Sequence, residues 1–475
     1  MIPMTLTEVA DVVGGRTVAA DPETVVTGTV EFDSRRIGPG GLFVAFVGDR
    51  VDGHDYAAGA VAAGAAGVLG SRPVPGVPTV VVGDSQTAMG RLARTVLDRL
   101  PGLTVIGVTG SSGKTTTKDL LGGLLAGAGS TVAPQGSLNN ELGAPYTALR
   151  ATAETRYLVL EMGSRGQGHL RYLCQIAPPR IALVTNVGVA HLGEFGTVEA
   201  IAEAKSELVE ALPADGVAVL NADDDRVRAM AARTVARIVL AGEAADAGLR
   251  ADDVTVDQRG RASYTLVWSG GSVRVRLAVA GRHQVGNSLL AVAAAHGAGV
   301  PVPDLAEALG GLRLASGRRM DVFDRADRVT VIDDSYNANP ASVAAALRAL
   351  AAMGAGRRTF AVLGYLAELG EHERAGHEEV GRTAALLGVD RVIVVGDQAG
   401  PIGDGAVSVS NWGGKSVQVT DQAEAVALLR DELRPGDVVL VKGSRYRTWE
   451  VADALRGDVP AVPGPGPSST AEALA

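Results

Sequence analysis

The stretch Thr109–Thr116, TGSSGKTT, follows the apolar run Leu103–Val108 and precedes a helix-like segment, Thr117–Ala126. Strand, glycine-rich turn and helix in that order commit the surrounding chain to an α/β layer, because such a turn works at the carboxyl end of a buried strand. The turn aims backbone N–H groups and a helix N-terminus at one anion. Gly110, Ser111, Ser112, Gly113, Lys114, Thr115 and Thr116 form the candidate phosphate cradle. Lys114 supplies a mobile positive charge and Thr115 a hydroxyl for Mg²⁺. The spacing departs from G-x-x-x-x-G-K-[ST], since Val108 stands at the first glycine position and the loop's own first glycine is Gly110. A chance glycine-rich turn is the competing reading; strand, loop, Lys-Thr pair and helix in register favour a nucleoside triphosphate site.

Lysine usage sharpens the search. Of 44 basic residues only Lys114, Lys118, Lys205, Lys415 and Lys442 are lysine. A chain that writes its surface cations as arginine keeps lysine where a compact or deprotonatable amine is wanted. Lys118 and Lys415 read as accidental survivors, whereas Lys205 and Lys442 merit attention.

At 475 residues the chain exceeds a single core and implies two to four domains. A net charge of −9 argues against a general nucleic-acid binder, which needs a basic face. The lone cysteine, Cys174, excludes an internal disulfide framework and reads as inert core in a reducing compartment. No charge-free apolar run long enough to span a membrane occurs, and MIPMTLTEVADVV lacks the basic start of a signal peptide. A soluble cytoplasmic protein is expected, without nucleic-acid or membrane partners and as a monomer.

The fold class expected is α/β with three domains. Residues 1–100 alternate β-like runs (Thr24–Val30, Leu42–Val47, Pro78–Val82) with helical stretches (Tyr56–Ala66, Ala88–Asp98). Residues 101–315 alternate strands and helices, with parallel-sheet signals at Val105–Val108, Tyr157–Leu160, Ile181–Thr185 and Val217–Leu220. Residues 316–457 form a third α/β unit with strands at Val329–Ile332, Phe360–Leu363, Arg391–Val395 and Val438–Val441. Residues 458–475 are rich in Pro, Gly and Ser and read as a disordered tail.

Four groups sit after strands or on helices of the middle segment: Glu161 in LEMG, His191 in TNVGVAHLGEFG, Lys205 in AIAEAKSELVEAL, and Asn139 with Asn140 in SLNNELG. A carboxylate and an imidazole at neighbouring strand ends can hold a divalent ion beside the one at Thr115. Each also has a plain reading: an exposed acid, a satisfied histidine, a lysine on a solvated helix face.

Ten ordered motifs decide between these readings. TGSSGKTTTKDLL, SLNNELGAPYTAL, LEMG, TNVGVAHLGEFG, EAKSELVEAL, GRHQVGNSLLAVAAA, SGRRM, DDSYNANPASV, AELGEHERAGHEEVG and VKGSR resemble the Mur ligase family. The resemblance runs from about residue 4 to residue 455. It implies an ATP-dependent amide ligase of three parts: an N-terminal uridine-nucleotide-binding domain, a central phosphate-loop ATPase domain on a parallel sheet, and a C-terminal Rossmann-like domain. FDSRRIGPGGLFVAFVGDRVDGHDY resembles the first part, and DDSYNANP at the start of the third points to a dipeptide acceptor. The implied reaction adds D-Ala-D-Ala to a UDP-N-acetylmuramoyl tripeptide in peptidoglycan precursor synthesis.

The same resemblance assigns roles. Lys114 holds the β/γ-phosphates and Thr115 one Mg²⁺; Glu161 and His191 serve a second Mg²⁺. Lys205 matches a lysine that reacts with CO₂ to become a carbamate beside that metal. Asn287 faces the adenine, and Arg319, rather than Arg318, reaches the γ-phosphate. Asp334, Tyr336 and Asn337 lie on the ribose and adenine side. Ser34 and Arg35 are candidates for the uridine diphosphate site, and Asn139, Asn140, Lys442, Ser444 and Arg445 for the substrate side. Chemically, ATP phosphorylates a carboxylate and an amine then displaces phosphate, with closure of the third domain assembling the site.

Three departures from the family pattern stand out: Tyr365 in LGYLAELG, Asp225 in LNADDD, and the bulky Tyr446, Arg447 and Trp449 after VKGSR. The first and last keep open a paralogous ligase with another acceptor, such as D-Ala-D-lactate or a secondary-metabolite peptide. A nucleotide-dependent binding protein without ligase chemistry is the competing class. The third residue of the peptide is not legible.

Overall fold

A computed structural model describes residues 1–188, 192–444 and 447–457. His191, Arg445, Tyr446 and the tail from Asp458 lie outside the described residues. Three large sheets and one two-stranded ribbon organise the described residues.

In the N-terminal sheet the strands run in the order Arg16–Val18, Thr79–Val81, Gly67–Gly70, Leu42–Val44, Val30–Glu31, parallel except for the first. The expected strand Thr24–Val30 is two strands instead. Val25–Val26 pairs with Met4–Thr5, while Val30–Glu31 joins the main sheet. Gly28 lies between them, and a Cβ there would meet Gly41 N and Pro39 O at 2.7 Å. This close approach redirects the chain where periodicity alone predicts continuity.

The central sheet has nine strands. Thr104–Thr109 lies between Tyr157–Glu161 and Ile181–Val184, all parallel, with every residue of both neighbours buried. The chain builds Thr131–Val132 and Tyr157–Glu161 on one side of Thr104–Thr109, then crosses to Ile181–Val184 on the other. Ligands bind outside the carboxyl ends of strands at such a reversal. Strand–helix alternation does not run to residue 315: Leu249–Val256, Arg261–Trp268 and Gly271–Ala280 form an antiparallel meander. Their inward residues, Ala251, Ala262, Tyr264, Leu266, Val275 and Leu277, close one core under the helix Gln284–Gly297. That helix also covers Leu120, Leu121, Leu124 and Leu125 of the helix Lys114–Ala126, each leucine contributing about 1.5–3 kcal/mol on burial. The phosphate-loop helix is thereby fixed along its length.

The C-terminal sheet has Thr330–Asp333, Val438–Lys442, Thr359–Leu363, Arg391–Val395 and Lys415–Val419 in parallel, edged by antiparallel Asp321–Asp324. Asp225 opens the helix Asp225–Ala229 behind the cap Asp224, so an acid stands where the helix dipole favours one. No helix among the described residues is long and apolar enough to cross a membrane. Cys174 is buried, and burial pushes its thiol up to about 12.

Candidate active site

The phosphate loop owes its shape to two glycines with positive φ and to the strand beside it. Gly110 has φ +149° and a Cβ there would lie 1.8 Å from Thr185 Oγ1; Gly113 has φ +79° and a Cβ would lie 2.5 Å from Asn287 Oδ1. No larger residue fits either position. Thr185 and Asn186 hold the loop from below. Ser111 N–H donates to Asn186 O at 3.0 Å, Ser112 N–H to Asn186 Oδ1 at 2.9 Å, and Thr185 Oγ1 to Ser112 O at 2.7 Å. The helix begins at Lys114, earlier than its sequence pattern indicates, and no side chain among the described residues caps it. Its first-turn N–H groups therefore remain available to an anion.

Lys114 Nζ donates to Gly110 O at 2.7 Å. Burial lowers its pKa, the Arg319 charge works in the same direction, and Glu161 opposes both. Lys205, on the helix Val198–Glu210, is 3% exposed and no solvated helix residue. Burial, then the charge of Lys114, holds its pKa well below the usual lysine range. No carboxylate among the described residues ion-pairs with it. The charge of half-buried Lys114 thus disfavours a second positive charge on buried Lys205.

Glu161, 0% exposed, stands across from them. Its Oε1 accepts from Ser137 Oγ at 2.7 Å and Asn139 Nδ2 at 2.8 Å, and Thr115 Oγ1 lies 3.4 Å from Ser137 Oγ. Its Oε2 is buried without a hydrogen-bond partner among the described residues. A buried carboxylate oxygen left open in this way calls for a cation. Glu161 and the Thr115 hydroxyl, bridged by Ser137, are oxygen donors of the kind that fits Mg²⁺. His191 of the expected set lies outside the described residues.

The C-terminal unit closes over the loop. Arg319 Nη2 donates to Thr115 Oγ1 at 3.1 Å, and its guanidinium stacks 4.2 Å from the Tyr336 ring centroid. Arg318 turns the other way, onto Trp449 and Asp453. Asn339 Nδ2 donates to Ser112 Oγ at 3.1 Å while its Oδ1 caps the helix Pro340–Met353. On the opposite edge Gly193 approaches Gly370, where a Cβ on Gly370 would lie 2.7 Å from Gly193 Cα.

Other expected site residues are placed differently. Lys442 is 2% exposed and its Nζ donates to Asp334 Oδ2 at 2.5 Å and Asn337 O at 3.0 Å, so Lys442, Asp334 and Asn337 hold one another. Ser444 Oγ donates to Tyr365 O at 2.9 Å and accepts from Ala367 N–H at 2.9 Å, tying two loops together. Asn140 Oδ1 accepts from Gly143 N–H at 2.9 Å at the start of the helix Gly143–Ala148. Asn287 donates to Gln284 Oε1 at 2.7 Å and abuts Gly113. Ser34 and Arg35 lie in a turn of the N-terminal unit, where Arg35 pairs with Asp33 at 2.8 Å and is 71% exposed.

Sequence reading missed Ser137, Asn186, Thr185 and Asn339, and misjudged Lys118. Asn339 before Pro340 is a helix-start signal, but its reach to Ser112 comes only from folding. Lys118 is no accident: it is 0% exposed and ion-paired with Asp119. Tyr365 and Trp449, two of the unusual residues, have packing roles. Tyr365 Oη donates to Glu373 Oε2 at 2.6 Å and its ring lies 5.3 Å from His377, while Trp449 lies under the Arg318 guanidinium.

A phosphate loop on a parallel sheet, met by an arginine from a second α/β unit, defines a nucleotide-dependent enzyme. Residues 28–95 match the Mur ligase catalytic domain, residues 108–295 the Mur ligase middle domain and residues 318–445 the Mur ligase glutamate ligase domain. The chain belongs to the Mur ligase family. It is 48% identical to the UDP-N-acetylmuramoyl-tripeptide–D-alanyl-D-alanine ligase of Mycobacterium tuberculosis, over 96% of this chain and 98% of that one. The ligase of the same name from Escherichia coli is 36% identical over 95% and 97%. The solved structure of MurF from Acinetobacter baumannii superposes with a TM-score of 0.85 at 32% identity, covering 96% of this chain and 99% of that one. MurF from Thermotoga maritima in complex with ADP gives a TM-score of 0.77 at 31% identity, covering 91% and 98%.

Proposed function

We propose that this chain is an ATP-dependent ligase that joins D-alanyl-D-alanine to a UDP-N-acetylmuramoyl tripeptide in peptidoglycan precursor synthesis. Similarity at 48% identity to ligases of that name, over 96% of this chain and 98% of those, carries the reading. The same relatives favour this acceptor over a paralogous one.

The chain's own groups divide the work. The first-turn N–H groups and Lys114 receive the β- and γ-phosphates, and Arg319 meets the γ-phosphate from the C-terminal unit. Phosphorylating the tripeptide carboxylate makes it a good acyl donor; attack by the dipeptide amine then expels phosphate. Closure onto Thr115 and Ser112 excludes water from the acyl phosphate. Thr115, Glu161 and Lys205, with His191, would hold Mg²⁺, which supplies positive charge to the transferring phosphoryl group. Asn287, Tyr336 and Asn337 serve the adenosine side, Ser34 and Arg35 the uridine diphosphate. Asn139 orients Glu161; Asp334 and Lys442 shape the C-terminal loop.

Lys205 acts as its carbamate. Burial and the Lys114 charge favour the neutral amine, the form that attacks CO₂, forming an N–C bond and releasing one proton. The product is an anion beside Lys114, so a repulsion becomes an attraction. A guanidinium forms no stable carbamate.

The test combines the purified protein with ATP, UDP-N-acetylmuramoyl tripeptide and D-Ala-D-Ala. ADP and the pentapeptide product should appear in equal amounts. ATP turnover with no amide formed would refute the ligase reading.

A further inference from the structure

The phosphate-loop helix carries two adjacent turns of polar residues on one face. Lys118 and Asp119 stand four residues beyond Lys114 and Thr115, one turn further along. Their side chains are 0% and 1% exposed and ion-paired. Lys118 Nζ also donates to Pro134 O at 2.8 Å and Ser316 Oγ at 3.3 Å, and Asp119 Oδ2 accepts the Ser316 N–H at 2.8 Å. Ser316 opens the linker into the C-terminal unit, and a few residues later Arg319 returns to the same helix at Thr115.

The far end of the linker is pinned to the C-terminal unit. Met320 N–H donates to Asp334 Oδ1 at 3.1 Å, and Arg318 Nη2 to Asp453 Oδ2 at 3.0 Å. Arg318 and Met320 have φ of +59° and +53°, left-handed on either side of Arg319. Non-glycine residues hold that conformation only where neighbours over-determine it. Arg319 therefore hangs on a short, strained span between two fixed points. Buried ion pairs contribute little net stability compared with an apolar pair of similar volume, so position is the better reason for this one.

We propose that the Lys118–Asp119 pair is a positioning device: it fixes the linker at Ser316 on the phosphate-loop helix and thereby sets where Arg319 meets the nucleotide. The inference rests on the reading above in that ATP is the ligand of the loop.

The test is a double-mutant cycle read by calorimetric affinity for ATP with Mg²⁺ and by steady-state kinetics. The variant K118M/D119L removes both charges together, so neither is left buried alone. Arg319→Ala is made in the wild-type and in this background, and thermal unfolding checks that each variant is folded. Arg319→Ala should weaken ATP about 10- to 100-fold in the wild type but less than about threefold in K118M/D119L, which is itself already weakened. Equal factors in the two backgrounds would overturn the proposal. Should K118M/D119L not fold, Ser316→Ala deletes only the hydroxyl facing Lys118 and gives the same cycle, with non-additivity of about threefold expected and additivity again overturning it. A wild-type chain that binds ATP yet forms no amide refutes the ligase reading, while the affinity cycle still decides the role of the pair.

Discussion

Beside the phosphate loop, Lys205 and Glu161 are buried and short of countercharge among the described residues; in the turn Asp33–Arg36 the exposed Arg35 is already paired with Asp33. Buried Lys205 feels the charge of the half-buried Lys114, and Glu161 keeps one oxygen open among the described residues. Arg35, by contrast, lies 71% exposed against Asp33. Holding cations together in a low dielectric is costly unless anions arrive to meet them. The loop is therefore organised around a polyanion that is part of the working state. The turn can contribute affinity but little else, because water screens its charges.

Lys205 offers the largest break in this contrast. Lys205→Ala and Lys205→Arg should each lose about 10²–10³-fold in turnover, and added short carboxylates should partly restore the alanine variant. Near wild-type activity in Lys205→Arg would end the carbamate reading. Glu161→Gln comes next: kcat should fall about 10²-fold, with the Mg²⁺ concentration for half-activity rising. An unchanged Mg²⁺ profile would remove Glu161 from the metal site.

Arg319→Ala should weaken ATP about 10- to 100-fold, and small-angle scattering should lose the compaction that nucleotide plus UDP-linked substrate produces in the wild type. A fully active variant with an unchanged profile would remove domain closure from the account.

Asp333 tests the energetic side of burial. Burial raises its pKa from the ordinary carboxylate value of 3.8 to about 6, against the opposing Ser335 hydrogen bond and the Arg318 charge. The folded state binds its proton more tightly than the unfolded state. The associated stability is thus fully present below pH 3.8 and lost as pH rises through about 6. Asp333→Asn should gain roughly 2–3 kcal/mol over wild type at pH 7.5 and nothing at pH 4. Equal Tm differences at both pH values would contradict this. The smallest effect belongs to Arg35→Ala, with KM for the UDP-linked substrate rising about fivefold and ATP affinity and Tm unchanged.

How much was legible in advance differed between regions for physical reasons. Buried parallel strands such as Tyr157–Glu161 and Val438–Lys442 announced themselves as apolar runs. The meander Leu249–Ala280 did not, because its half-exposed strands carry Arg and Asp on the outer face. Thr24–Val30 looked continuous because the Gly28 contact that splits it is made with Pro39 and Gly41, outside any local window. Lys118 looked accidental because its contacts beyond the helix, Pro134 and Ser316, stand 16 and 198 residues away.

By itself the sequence determined that this protein has a phosphate loop and the family motifs in their order, since these depend on residue type and local spacing. Only the tertiary structure decided that Arg319 and Asn339 meet Thr115 and Ser112, that Ser137 joins Thr115 to Glu161, and that Lys442 answers Asp334. Those contacts join segments whose separation no spacing rule encodes, and burial alone gives their charges the low dielectric in which they act.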